Sequence, residues 1–253
     1  MAIVSVDFRF GDVWKVTNFV QKENPQIREI ADKIDQEVGH NIDIRVEAIA
    51  RYVGLKFRYP LNLHGATASE AELKRFKRTP RSWIWKAFRD YTWLFPAETD
   101  TCRWGICIDT ANLFTSIARA LDIPAKVSLG PVYRTQDDQL LGYHAWSRLT
   151  YKGLDHIAET TIHGTDRILI PTQDLYGKKL DVYYVEEAWF DENEYHDNQI
   201  GEGGLAALEK HRQYYVGLRK RAKKKRKDHP EYEEDKIHAI REAVKKYYRK
   251  QKK

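Results

Sequence analysis

The chain has 253 residues, of which 42% are hydrophobic and 12% aromatic, enough for one large domain or for one domain with an appendage. Two cysteines exclude a disulfide framework and a four-cysteine zinc site. No run approaches the roughly 18 apolar residues that span a bilayer, and the first residues lack a basic leader, so we expect a soluble cytoplasmic protein.

The net charge of +6 is unevenly distributed. Residues 209–253 contain 18 basic and 7 acidic residues, a net charge of +11, which leaves −5 for residues 1–208. A mildly acidic body with a basic tail differs from a protein with a uniform DNA-binding face. We therefore expect a core domain over residues 1–204 and a basic helical tail over residues 205–253.

Two amphipathic helices are predicted in the N-terminal part. The first ends at Gly39 and the second runs from about Ile44 to Gly54. The first has an apolar residue every three or four positions, at Ile27, Ile30, Ile34 and Val38.

Residues 60–80 are polar and irregular, and an aromatic-rich stretch follows them. Such a cluster forms either a core or the wall of a groove, and general burial preferences favour the core. Its members are Trp83, Trp85, Phe88, Tyr91, Trp93 and Phe95.

The segment from residue 99 to residue 123 is predicted to be a turn followed by a helix. The turn is TDTCRWG, at 99–105, and Pro124 cannot continue the helix. One helical face carries Ala111, Phe114, Ala118 and Leu121.

Strands are predicted beyond Pro124. Apolar and polar residues alternate over 125–129 and 142–151, as in half-buried strands. A turn at Lys152-Gly153 leads to a strand over 154–161, and another strand is expected over 181–189. Helices followed by strands indicate an α+β domain with an antiparallel sheet.

The predicted tail combines a cationic run with an amphipathic helix. The run RKRAKKKRK at 219–227 is almost purely cationic. Beyond His229-Pro230, a helix is expected whose apolar stripe needs a surface to lie against. We expect the tail to contact an acidic protein or nucleic acid, while the sequence contains no signature of a sequence-specific nucleic-acid-binding domain.

Cys107, His144 and Glu159 form the candidate site. Cys107 begins the predicted helix, where the helix dipole favours the nucleophilic thiolate. His144 and Glu159 lie on strands joined by a turn, so an imidazole–carboxylate hydrogen bond between them is easy to form. A cysteine activated by a histidine that a carboxylate orients is typical of acyl transfer.

Other residues compete for these roles. Asp155 is the rival to Glu159, although it lies nearer the turn. Cys102 is interpreted as a bystander thiol, and His156 and His163 as surface residues. A single cysteine on a helix is often just a small buried apolar residue. The catalytic assignment therefore rests on the order of the thiol, the imidazole and the carboxylate along the chain.

Three strings carry a resemblance to a known family: RWGICIDTANLFTSIARALDIPAKV at 103–127, GYHAW at 142–146 and HIAETT at 156–161. Together they resemble the transglutaminase-like superfamily of papain-like enzymes, and residues 111–115 are similar to its peptide:N-glycanase branch. The resemblance implies a papain-like core in which the nucleophile helix packs on an antiparallel sheet. It assigns Cys107 as the nucleophile, His144 as the general base and Glu159 as the third member.

The sequence departs from the family pattern at several points. Glu159 stands where Asp is usual, and Asp122 replaces a usual Gly at the end of the helix, where Asp tolerates left-handed geometry. The paired CxxC zinc motifs of peptide:N-glycanases and the calcium-binding clusters of animal transglutaminases are missing. We therefore expect no metal and no cofactor.

An active site of this kind needs a group that stabilises the oxyanion. The backbone N–H of Cys107 is one candidate. The indole N–H of Trp104 is nearest in sequence, and Trp83, Trp85 and Trp93 stay open as alternatives.

Two functions follow. The leading one is a cysteine-nucleophile enzyme that acts on amide bonds of a protein or peptide through a thioester, as a transglutaminase-like acyltransferase or as a protease or amidase. The alternative is a structural or assembly component, which could belong to a phage virion, whose basic tail binds an acidic partner or nucleic acid. No membrane partner is expected.

Overall fold

The computed structural model describes residues 5–9, 12–57, 93–103, 105–161, 168–175, 180–198 and 210. The helices are α1 (Pro25–Val38), α2 (Ile42–Lys56), α3 (Pro96–Cys102), α4 (Cys107–Ala120) and α5 (Thr172–Leu175), with a 3-10 helix at Val16–Phe19. The strands are β1 (Ser5–Arg9), β2 (Asp12–Lys15), β3 (Ala125–Arg134), β4 (Leu140–Tyr151), β5 (Leu154–Ala158), β6 (Leu169–Pro171), β7 (Val182–Tyr184), β8 (Ala188–Phe190) and β9 (Tyr195–Asp197).

The two predicted N-terminal helices are present, and asparagine caps begin both. The side chain of Asn24 accepts a hydrogen bond from the backbone N–H of Gln26 (3.0 Å), and that of Asn41 accepts one from Ile44 (3.2 Å). The first helix ends at Gly39 as predicted, with a φ of 73°. The second begins two residues earlier than predicted because Asn41 supplies the cap.

The predicted turn at 99–105 is wrong in its first half, where helix α3 continues to Cys102. Pro96 occupies its first turn, and the Glu98 carboxylate accepts the N–H of Phe95 at 3.0 Å. The helix stops at Arg103, which has a left-handed φ of 60°. A helix of 7 residues is too short to display a clear apolar period.

A seven-stranded sheet forms the second layer, in the order β6-β5-β4-β3-β8-β9, with β7 paired to β3. All its pairs are antiparallel, which confirms the predicted α+β class. Strands β4 and β5 are joined at Lys152-Gly153, where φ is 50° and 72°.

Two predicted strands have other limits. The strand expected over 154–161 ends at Ala158. The strand expected over 181–189 is divided into β7 and β8, which pair with different parts of β3. Between them the backbone passes close to Gly130, because a Cβ there would lie 1.8 Å from the carbonyl oxygen of Val185.

Helix α4 lies at the centre of the packing. One core cluster joins it to α1, α2 and the sheet, and a second joins its first turns to residues 16–20, Trp93, β3 and β8. Every residue of α4 except Arg119 is buried. The helix ends at Ala120, three residues before the predicted limit at residue 123, and Asp122 beyond it adopts the left-handed φ that was expected, 59°.

Part of the aromatic-rich stretch can be placed. Trp93 is buried, edge-on to Phe19 (ring centroids 5.2 Å apart) and stacked on Phe190 (6.2 Å), as the core interpretation predicted. Phe95 stacks on Phe19. The irregular segment at 60–80, the other aromatic residues of the stretch, and the predicted tail helices beyond residue 210 lie outside the described residues.

We predict that Gly130→Ala destabilises the protein by about 3 kcal/mol or more, because the new Cβ meets fixed backbone atoms of residues 185–187. The matched control is Gly54→Ala, whose Cβ would also lie 1.8 Å from an atom, but that atom is the mobile end of the Ile168 side chain. Alanine also favours the helix at Gly54, so its cost should stay within about 1 kcal/mol. Urea unfolding measures both values, and equal costs would contradict the prediction.

Candidate active site

One buried carboxylate fixes the start of helix α4. Asp109, 1% exposed, accepts the N–H of Ile106 through Oδ2 (2.9 Å) and the N–H of Leu94 through Oδ1 (2.8 Å). Gly105 lies so close that a Cβ there would be 2.7 Å from the Cβ of Asp109. These contacts make Cys107 the first residue of the helix, with its side chain 0% exposed.

The pairing of β4 with β5 brings His144 to Glu159. Ser147 pairs with Ala158, so the residue after β5 lies near the His144 end of β4. The Nε2 atom of His144 lies 2.7 Å from Oε2 of Glu159. The predicted contact between these two residues is therefore present.

His144 also forms a hydrogen bond with the side chain of Cys107. Because Nε2 faces Glu159, the ring nitrogen that remains for the sulfur is Nδ1. A continuous chain of hydrogen bonds thus runs from the thiol to the carboxylate. The structure brings together all three residues that the sequence selected for the site.

The carboxylate of Glu159 is 1% exposed and is held by protein donors on both oxygens. Oε1 accepts the backbone N–H of Thr161 (3.0 Å) and its hydroxyl (2.6 Å), while Oε2 accepts His144 and the hydroxyl of Tyr184 (2.7 Å). Burial raises the pKa of Glu159, but the charge of His144 and these donors outweigh burial and lower the pKa to about 2. The group is a carboxylate at neutral pH.

The pKa of His144 moves in the opposite direction. Burial lowers it, but the negative charges of Glu159 and of the Cys107 thiolate outweigh burial and raise it to about 10. The imidazole is therefore held as imidazolium beside the sulfur at neutral pH.

Aromatic side chains surround the imidazole of His144. Trp146 stacks on it, with ring centroids 6.2 Å apart, and Tyr184 meets it edge-on at 5.7 Å.

Three further residues of the site were not predicted from the sequence: Thr161, Tyr184 and the buried Asp109. The position of Asp109 three residues after the N-cap was the one local signal, since an acidic residue there is typical of a helix start.

The rival residues lie elsewhere. Asp155 accepts a hydrogen bond from Nε of Arg148 (2.7 Å) and is 39% exposed, so it pairs with an arginine instead of His144. His156 was expected at the surface and this is wrong: it is 6% exposed, with Tyr151 edge-on to it. The reason is that His156 lies on the same face of β5 as Ala158, which packs into the core cluster formed with the helices.

The oxyanion candidates are only partly placed. Trp93 is buried in the same core cluster as Cys107. Trp104, Trp83, Trp85 and His163 lie outside the described residues, as does the side chain of Cys102.

Among the described residues, no group of three or more His, Cys, Asp or Glu side chains is arranged to hold a metal ion. Within the same ranges, no helix has both the length and the apolar character needed to cross a bilayer.

Solved structures with a similar chain path are distant in sequence. A candidate cysteine protease from Cytophaga hutchinsonii is 16% identical with a TM-score of 0.37, and the match covers 77% of this chain and 58% of that one. LapG from Legionella pneumophila is 13% identical with a TM-score of 0.41, covering 76% of this chain and 96% of that one. A structure described as a TGase is 16% identical with a TM-score of 0.34, covering 62% and 36%.

No curated protein sequence matches the chain significantly. The sequence profile of the transglutaminase-like superfamily matches residues 16–196, which is well over half of the chain and contains Cys107, His144 and Glu159. The chain therefore belongs to the transglutaminase-like superfamily.

Proposed function

We propose that the protein is an enzyme in which Cys107 attacks an amide bond of a protein or peptide and forms a thioester. The observation that carries this proposal is the hydrogen-bond chain Cys107–His144–Glu159, which ends on a buried carboxylate. A thiol, an imidazole and an orienting carboxylate are the groups that nucleophilic acyl transfer requires.

The proposed reaction has two halves. The thiolate of Cys107 attacks the carbonyl carbon, and the imidazolium of His144 gives its proton to the leaving amine as the C–N bond breaks. Water or a second amine then attacks the thioester while His144 takes up its proton, and the thiolate leaves. Water completes a hydrolysis, whereas an amine completes a transglutaminase-like acyl transfer.

Glu159 and the start of helix α4 support these steps. The carboxylate fixes the direction of the imidazole and stabilises its positive charge. The backbone N–H of Cys107 and the indole of Trp104 are the proposed donors to the oxyanion that forms during the attack.

The burial of Cys107 favours a second candidate function. Its side chain is 0% exposed, and a substrate carbonyl must reach the sulfur for any reaction. A protein whose sulfur is never accessible would use this fold as a structural or assembly component. Accessibility of the thiol in solution therefore separates the two functions.

We predict that iodoacetamide modifies Cys107 faster than Cys102 at pH 6.5, measured by mass spectrometry of tryptic peptides. The Cys107 rate should change little between about pH 6.5 and pH 9, because His144, with its pKa raised to about 10, stays protonated over this range and holds the thiolate. An ordinary thiol, with a pKa of about 8.5, instead gains about tenfold per pH unit in the lower part of this range. A Cys107 that resists labelling throughout would favour the structural function.

We predict that His144→Ala slows the labelling of Cys107 at pH 6.5 by about 100-fold, because an unassisted thiol with a pKa of about 8.5 is only about 1% ionised there. Glu159→Gln should slow it by about tenfold or more, since the imidazolium loses its negative partner. Asp155→Asn is the matched control, because its carboxylate contacts Arg148 instead. A larger effect from Asp155→Asn would show that the third member is misassigned.

We further propose that the basic tail binds an acidic protein or nucleic acid. The net charge of the tail over residues 209–253 is +11. Its one described residue, Lys210, pairs with Glu187 of the core at 3.2 Å. The beginning of the tail thus contacts the core, and the cationic run follows nine residues later.

We predict that truncation after Gly217 leaves the core's cooperative melting unchanged and abolishes binding to a labelled DNA duplex or to polyglutamate. It removes the run at 219–227 but keeps Lys210 beside Glu187. Truncation after Gly204 also removes residues 205–217, including Lys210, and comparison of the two measures the contribution of that segment. DNA binding by the full chain should weaken steeply as salt rises, through counterion release. Binding that ignores salt, or a core that unfolds after either truncation, would contradict the prediction.

A further inference from the structure

We infer that Tyr184 is a positioning residue, which holds the Glu159 carboxylate in the orientation that His144 requires. This inference rests on the proposed function, because it assigns Tyr184 a role in that same site. The hydroxyl of Tyr184 donates to Oε2 of Glu159 at 2.7 Å, and this oxygen is the one that bonds His144.

The tyrosine itself is held firmly. Its ring meets Trp146 edge-on, with centroids 5.0 Å apart and planes at 89°, and the residue is 8% exposed. Trp146 in turn stacks on His144. The imidazole, the indole and the phenol therefore pack on one another, while the phenol and the imidazole share one carboxylate oxygen.

The backbone around Tyr184 is anchored to the opposite side of the site. Tyr184 pairs with Val132 on β3, and the next residue, Val185, donates its N–H to the carbonyl of Pro131 at 3.1 Å. Because β7 pairs with the edge of β3 that faces away from β4, the side chain of Tyr184 reaches Glu159 across β3 and β4. The carboxylate is held from two directions: by Thr161 within its own loop and by Tyr184 from across the sheet.

The chemistry of the acid explains why such a restraint is useful. The Glu159 side chain has several rotatable bonds, so its carboxylate would otherwise sample many orientations. Two donors on each oxygen remove that freedom. The Tyr184 hydroxyl supplies the donor that acts beside the imidazole.

The test is Tyr184→Phe, which removes the hydroxyl and keeps the ring against Trp146. We expect the iodoacetamide rate of Cys107 to fall about fivefold at pH 6.5, where the thiolate depends on a well-placed imidazolium. At pH 9.5 the rate should match that of the unmodified protein, because a thiol with a pKa of about 8.5 is then ionised without help. A packing defect that altered access to the sulfur would change both rates.

The matched control is Tyr183→Phe, one residue earlier, whose hydroxyl donates to the exposed Asp138 at 3.0 Å. It should leave both rates unchanged. Thermal melting of each variant confirms that it folds, and Tyr184→Leu, which has no donor and no added bulk, serves as a second variant if Tyr184→Phe does not fold.

Combination with Glu159→Gln separates the possible failures. If Glu159→Gln slows labelling but Tyr184→Phe does not, or if Tyr184→Phe slows it equally at both pH values, the inference is overturned and the proposed function stands. If Glu159→Gln itself has no effect, the proposed function fails and the inference fails with it. Loss in Tyr184→Phe at pH 6.5 alone, with no additional loss in the double variant, supports the inference.

Discussion

The Glu159 carboxylate is buried away from water, so its hydrogen bonds have to be donated by other groups of the protein. The rest of the site depends on this requirement. Its donors come from three separate places: His144 on β4, Thr161 in the loop after β5, and Tyr184 on β7. Leaving such a charge unpaired would cost several kcal/mol. The pairing of these strands therefore brings the donors to Glu159 and also orients the imidazole of His144. The negative charge of Glu159 in turn favours the protonated form of His144.

The start of helix α4 also depends on a buried carboxylate. Asp109 is buried beneath the first turn and binds the N–H groups of Leu94 and Ile106, so the chain entering the helix is tied to the segment before α3. Gly105 leaves room for this contact. The position of the Cys107 sulfur is thus fixed by these backbone hydrogen bonds and by the core that surrounds α4. It does not depend on the contact with His144.

The distribution of charge gives the protein two distinct regions. The described ion pairs of the core lie on both the helices and the sheet: Arg45 bonds Asp35, and Arg148 bonds both Asp155 and Glu186. The excess of positive charge lies beyond residue 208, and the described contact between Lys210 and Glu187 joins the two regions at 3.2 Å. Lys210, whose side chain is 40% exposed, thus pairs with a largely buried carboxylate of the core.

The sequence by itself determined what depends on neighbours along the chain. The apolar period of α1 and α4, the left-handed Asp122 and the Lys152-Gly153 hairpin are local, and the hairpin brings His144 to Glu159. Only the tertiary structure decided what depends on distant partners. The short strands β6 and β9 lie at the two edges of the sheet, and His156 is buried because its face of β5, which also carries Ala158, packs into the core formed with the helices. Tyr184 reaches Glu159 from 25 residues away, through a strand paired with β3. No period or spacing encodes that contact, because long-range pairing is chosen by the free energy of the whole core and not by the residues beside it.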